Sequence, residues 1–151
     1  MSPASTATVR CPECSRTNRV PVAAHGTPRC GKCHAALPWI VDADDETFHA
    51  VAEEATTPVL VDIWAPWCGP CRMVSPVLEH LAQERAGTLK LVKVDADQAP
   101  RLSQRFEIQA IPTLLVMRDG RVVARQVGAA PEHALGAWLD GALGSTDRKG
   151  A

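Results

Sequence analysis

The chain has 151 residues, 46% hydrophobic and 22% charged, with sixteen Lys and Arg against seventeen Asp and Glu. A formal charge of −1 excludes a uniformly basic nucleic-acid binder and an acidic disordered tail as descriptions of the whole. No apolar run reaches the ~18 residues of a membrane span. With no Tyr and two Phe, the core must be filled by Val, Leu, Ile and Ala.

The first ten residues show no basic stretch followed by an apolar one, so we read no signal peptide and expect a cytoplasmic monomer. Thiols are kept reduced there, so the six Cys point to metal or redox chemistry rather than structural disulfides. They form three pairs with two residues between partners: Cys11 and Cys14, Cys30 and Cys33, Cys68 and Cys71.

We divide the chain into a flexible N-terminus (1–8), a four-Cys zinc-binding module (9–36), an α/β domain (37–143) and a flexible tail (144–151). Residues 1–36 carry a net charge of +4 and the remainder −5. The first segment has no long apolar run and is broken by Pro12, Pro21, Gly26, Pro28 and Gly31. A piece below ~40 residues with no apolar core needs a staple. Residues 37–41 read as a strand. Asp42 or Asp44 can cap a helix with Phe48, Val51 and Ala52 on its apolar face. Residues 59–65 form a nearly continuous apolar run, as in a strand covered on both faces. A helix follows with Met73, Val74, Val77, Leu78, Leu81 and Ala82 at helical spacing, and Pro76 inside it should kink it. Next come a strand at 89–95, a short helix around 101–106, a strand at 111–117, a hairpin turn at Asp119-Gly120, a return strand at 122–127 and a last helix from Pro131. This order predicts a mixed central sheet with helices on both faces, part parallel and ending in an antiparallel hairpin. No internal repeat is visible.

Cys68 and Cys71 fall at a strand-to-helix junction. At i and i+3 on the first turn their sulfurs can face each other and close a disulfide. Pro70 suits that turn because it lacks the N–H that would go unpaired. The free N–H groups and partial positive charge of the helix start favour a thiolate at Cys68, the sulfur expected nearer solvent. Cys71 should point inward. Asp62 sits in a strand buried on both faces, so its pKa should rise, which makes it a candidate general base for Cys71. Lys93, in the next predicted strand, is its candidate partner. Pro112 begins a strand and cannot donate to a ladder, which leaves a bulge, a cis bond or an ordinary trans start open.

Cys11-x2-Cys14-x15-Cys30-x2-Cys33 has four-cysteine zinc spacing, and tetrahedral thiolate coordination suits Zn2+. Four thiolates and one zinc bring the module to about +2. Cys30-Gly31-Lys32-Cys33-His34 also matches the haem c attachment pattern, which the missing export segment and the matching first pair oppose. A second redox disulfide, a His25 or His34 ligand, and nucleic-acid binding by the positive module are the rival readings. The absence of interleaved aromatics opposes the last. His25, His34, His49, His80 and His133 read as solvated loop residues.

The run Trp64-Ala65-Pro66-Trp67-Cys68-Gly69-Pro70-Cys71 resembles the active-site signature of thioredoxins. Val61-Asp62, Pro76, Lys93, Ile111-Pro112-Thr113, Asp119-Gly120 and Val127-Gly128 follow thioredoxin order over about residues 37–143. The resemblance implies the thioredoxin fold, a cis Pro112 facing the dithiol, and a catalytic Asp62 with Lys93 beside it. It implies that Trp67, Gly69, Pro70, Ile111, Pro112 and Gly128 dock substrate proteins. It also implies reduction of protein disulfides, with recycling by a separate thioredoxin reductase that draws on NADPH, since this chain has no Gly-rich nucleotide motif. The four-Cys segment resembles the N-terminal zinc-binding segment of the thioredoxin 2 group of bacterial thioredoxins, with the zinc either structural or redox-regulatory.

Overall fold

The computed structural model describes residues 6–23 and 26–150, with backbone alone for 145–150. His25 and the first five residues lie outside the described residues. Strands β1 (Thr6–Arg10) and β2 (Thr17–Pro21) pair antiparallel as a hairpin, with Thr6 opposite Pro21 and Arg10 opposite Thr17. Sequence reading assigned no strand here. It also placed residues 6–8 in a flexible terminus, whereas they are paired. Alternation over five residues among Pro and Cys is too short a signal to separate from loop.

The second sheet holds β3 (Trp39–Ala43), β4 (Val59–Trp64), β5 (Lys90–Asp95), β6 (Thr113–Arg118) and β7 (Arg121–Val127) in the spatial order β3-β5-β4-β6-β7. β5 is parallel to both β3 and β4, while β6 is antiparallel to β4 and β7. β4 is therefore the central strand, which is why Val-Leu-Val-Asp-Ile reads as one apolar run with a single carboxylate in it. The β6–β7 turn has Asp119 at φ 53° and Gly120 at φ 78°, the left-handed pair of a type I′ turn. The mixed sheet expected from sequence is present.

Helix α1 (Gly69–Glu84) crosses one face of this sheet, with α3 (Glu132–Gly150) beside it. Leu60, Leu91, Leu114 and Val116 meet Val74, Leu78 and Leu81 of α1 and Leu135 and Leu139 of α3. The opposite face carries Val61, Ile63, Val92 and Leu115, covered by Phe48, Val51 and α2 (Pro100–Arg105) through Leu102. The expected helix over Phe48, Val51 and Ala52 is a short π-helical segment, His49–Glu53, closed by Glu54 N–H to His49 O at 2.9 Å. Its apolar face is buried as expected, and Asp44 Oδ1 accepts from Glu46 and Thr47 N–H just before it. α3 carries helical backbone through 144–150, which the sequence placed in a flexible tail. A single Gly costs only about 1 kcal/mol in a helix and does not by itself end one.

The N-terminal hairpin shares a core with the larger sheet. Cys11, Val20, Cys30 and Leu37 are buried in one cluster with Trp39, Val41 and Phe48. Trp39 Nε1 donates to Pro21 O at 2.9 Å. Lys90, fully buried, donates from Nζ to Val22 O at 2.5 Å and Val51 O at 2.6 Å, and its ammonium lies 4.1 Å from the Trp39 ring centroid. Burial pushes its pKa down to about 8. Sequence reading treated Lys90 as an ordinary strand residue; only the fold shows that it ties two regions together.

Candidate active site and metal centre

Cys68 is the N-cap of α1, with extended backbone (φ −88°, ψ 112°) and Pro70 in the first turn. Its Sγ accepts the Cys71 N–H at 3.2 Å, which satisfies one of the helix start's free donors with sulfur. Cys68 and Cys71 are joined in a disulfide with Cα atoms 5.3 Å apart. Both are buried, at 4% and 2% exposure, so the expected difference in solvent access is small. Ala65, Trp64 and Ile111 pack around the pair.

The Ile111–Pro112 bond is cis, and Ile111 O lies 3.8 Å from Cys68 Sγ. Pro112 O accepts from Gly128 N–H at 2.8 Å, which ties the β7 end to this loop. Gly128 has φ 92°, a conformation that favours glycine, with open space where a Cβ would stand. Trp67 is 68% exposed, and its Nε1 donates to Asp97 Oδ2 at 2.9 Å. Met73 (74%) and Val127 (52%) are exposed too, so apolar surface surrounds the buried pair. Helical spacing places Met73 on the apolar face; instead it points to solvent, because α1 turns its Val74–Leu78–Leu81 stripe to the sheet.

Asp62 lies on the face of β4 that α1 covers, beside Leu60, and is 1% exposed. Neither carboxylate oxygen has a hydrogen-bond partner. Burial pushes its pKa up to about 7, moderated by the nearby Lys93 ammonium and supported by Glu79. Lys93 stands opposite Asp62 in the parallel register, as expected of its neighbour. Its ammonium is not bonded to Asp62, however; it donates to Glu79 Oε2 at 3.1 Å and lies 5.4 Å from the Trp64 ring. Glu79 was not singled out from sequence, and its i+8 spacing from Cys71 on α1 was the available signal.

Cys11, Cys14, Cys30 and Cys33 converge, with all four Sγ atoms within 4.8 Å of one another. Close separations cross between the pairs: Cys11 to Cys33 and Cys14 to Cys30, each 3.6 Å. Tetrahedral coordination with ~2.3 Å bonds sets sulfurs about 3.8 Å apart, so the donor set fits one zinc ion. Two turns of identical plan present them. Cys11 N–H bonds Arg16 O, Ser15 N–H bonds Cys11 O, and Glu13 N–H approaches Cys11 Sγ at 3.4 Å. Cys30 N–H bonds Ala35 O, His34 N–H bonds Cys30 O, and Lys32 N–H approaches Cys30 Sγ at 3.4 Å. Ser15 and His34 close the turns at φ 68° and 67°. This is a local repeat in backbone that the sequence, Cys-Pro-Glu-Cys against Cys-Gly-Lys-Cys, conceals. As free thiols Cys30 and Cys33 would not titrate alike. The Cys33 N–H, then Lys32 N–H and the Asn18 amide, hold Cys30 down to about 5. Cys33 accepts from Ala35 N–H, yet loss of solvent, and after it the neighbouring Cys11, Cys14 and Cys30, push it up to about 12.

The histidines are not all loop residues. His80 lies within α1 and its two ring nitrogens face Glu132 at 2.7 Å and Glu84 at 3.6 Å. His49 faces Glu53 and Glu54 from the π-helical segment, and His133 is exposed on α3.

A five-stranded mixed sheet with a closed Cys-x-x-Cys pair capping the helix that leaves its central strand, across from a cis proline, defines a disulfide oxidoreductase. The thioredoxin family model matches residues 39–141, beginning after the four-Cys segment, and the chain belongs to the thioredoxin family. It is 50% identical over 101 residues to Thioredoxin C-2 of Corynebacterium nephridii, covering 67% of this chain and 94% of that one. It is 49% identical over 96 residues to the thioredoxin of Bacillus subtilis strain 168 (64% and 90%) and 43% identical over 101 residues to that of Haemophilus influenzae (67% and 94%). No helix among the described residues is long and apolar enough to cross a membrane.

Proposed function

We propose that this thioredoxin-type oxidoreductase works in the reducing direction on protein disulfides, with the four-Cys ribbon as a structural zinc module. The observation that carries this reading is the Cys68–Cys71 pair at the α1 N-terminus, buried under an apolar surface that includes exposed Trp67.

In the reduced protein the Cys68 thiolate, favoured by the helix start, attacks one sulfur of a substrate disulfide. The substrate S–S bond breaks, a mixed disulfide forms, and the released substrate thiolate takes up a proton. Cys71 then gives its proton to Asp62 and attacks Cys68 Sγ, and the second substrate thiolate leaves. Two electrons pass to the substrate, and the pair closes as the disulfide. With its pKa raised to about 7, Asp62 exchanges a proton near neutral pH, as a general base at physiological pH requires. Lys93 acts on Asp62 by charge. Trp67, Gly69, Pro70, Ile111, Pro112 and Gly128 form the docking surface that receives a substrate segment beside the disulfide. A separate thioredoxin reductase, using NADPH, reopens the pair in the cytoplasm.

Cys11, Cys14, Cys30 and Cys33 hold one zinc, which supplies the cross-link that a segment too small for its own core lacks. The dithiol chemistry itself needs no cofactor.

The test is reduction of insulin by the full-length, metal-loaded protein with NADPH and a thioredoxin reductase. Insulin precipitation together with NADPH consumption supports the reading. A docking module with an inert pair gives neither, and that result overturns it.

A further inference from the structure

One row of ionisable side chains crosses three strands beneath α1. The register sets Asp42 of β3 opposite Lys93 of β5, and Lys93 opposite Asp62 of β4. Burial deepens along the row: Asp42 is exposed, Lys93 half-buried and Asp62 buried. On the far side of Asp62 the next residue is Leu114, which brings no charge. Over the row stands Glu79 of α1. A cavity of about 400 Å3 opens there, walled by Thr8, Val9 and Arg10 of β1, with Asp42, Glu79 and Lys93 among its lining.

Lys93 has three acidic neighbours, Asp42, Asp62 and Glu79, and chooses one. Its ammonium bonds Glu79 on the cavity side, and Asp62 is left with both oxygens unpartnered. The choice has a physical reason. Pairing at Asp62 would draw the ammonium into a site of 1% exposure, whereas Glu79 lets it stay at the cavity wall. It also has a chemical consequence, because a carboxylate paired with an ammonium holds its charge and is a poor proton acceptor.

We propose that Glu79 is a positioning residue for the dithiol chemistry: by drawing the Lys93 ammonium toward the cavity, it leaves Asp62 without an ion-pair partner and able to take up the Cys71 proton. This rests on Asp62 being the base, as proposed above. The charged groups facing the row are Glu79 of α1, Asp42 of β3, Lys93 of β5 and Arg10 of β1, with the Cys71 thiol on α1 as proton donor. Glu79 acts in two ways of the same sign: it occupies Lys93, and its own negative charge disfavours a second one on Asp62. In Glu79→Gln both effects are lost, and Lys93 is released toward Asp62.

The experiment follows the Asp62 carboxyl carbon by NMR from pH 4 to 9 in full-length, metal-loaded, oxidised protein. Glu79→Gln is expected to move its midpoint down by about one unit, the low end for a cation brought within ~4–6 Å. The acid limb of insulin turnover should move the same way, and Glu79→Asp should restore most of both. A Glu79→Gln midpoint equal to or above that of the wild type overturns the assignment of Glu79. Wild-type turnover by Asp62→Asn from pH 6 to 8 overturns the base role, and with it any catalytic part for Glu79, whatever the carbon titration reads.

Discussion

The ribbon and the α1 start use the same Cys-x-x-Cys spacing and make two different structures from it. In the ribbon, the N–H two residues after the first Cys approaches its sulfur at 3.4 Å, and a left-handed residue at i+4 turns the chain back. At Cys68 the N–H three residues on makes the contact, at 3.2 Å, and the chain continues as a helix. In the ribbon sulfurs of one pair approach those of the other, Cys11 to Cys33 and Cys14 to Cys30 at 3.6 Å; at α1 the two sulfurs of a single pair are bonded to each other. Spacing therefore sets which sulfurs can meet, while the backbone after the first Cys decides whether the second is a redox partner or a metal ligand.

The largest effect should come from breaking the α1 pair. Cys71→Ser is expected to reduce insulin turnover more than ~100-fold and to accumulate a mixed disulfide through Cys68, visible on non-reducing gels. The matching change in the ribbon, Cys30→Ser, should leave the Cys68–Cys71 reaction in place but lower stability by about 3 kcal/mol, a fall in Tm of about 10 °C by calorimetry.

Asp62 gives a pH-dependent contrast. Its folded pKa of about 7 lies above the ordinary 3.8, so ionising it costs the folded state stability. That cost is absent below about pH 3.8, grows through the window and is complete above about 7. Asp62→Asn should thus add nothing near pH 4 and up to about 4 kcal/mol at pH 8, at 1.36 kcal/mol per unit. Urea unfolding at the two pH values checks it, and equal gains at both would contradict the buried-carboxylate account.

Two smaller changes probe how the regions are joined. Lys90→Met leaves Val22 O and Val51 O without their donor and should cost about 1–2 kcal/mol, with faster amide exchange in β1 and β2. Gly120→Ala asks a left-handed position to carry a Cβ 3.2 Å from Glu53 O. It should cost about 1 kcal/mol in denaturant unfolding without changing insulin turnover.

Much of this could be read from the chain. Cys68, Gly69, Pro70 and Cys71 announce themselves because a helix start, a thiolate and a spacing of three coincide in four residues. The β4 run is equally plain, since only a strand covered on both faces is so uniformly apolar, and a carboxylate inside it must be buried. The four ribbon cysteines follow from spacing alone. The misses have a common character. The β1–β2 hairpin, the π-helical segment and the continuation of α3 through Gly144 all lie where local signals are short or ambiguous.

What the sequence determined by itself is local: which residues can be nucleophile, base, ligand or turn, because those roles depend on residue type and near spacing. What only the tertiary structure decided is which of two available partners each group takes. Lys93 faces both Asp62 and Glu79 and bonds Glu79. Lys90 could have been a surface cation and is instead buried between carbonyls of the residue just after β2 and of the π-helical segment. Such choices depend on the balance of burial and charge among elements far apart in the chain, and no window of sequence contains both sides of that balance.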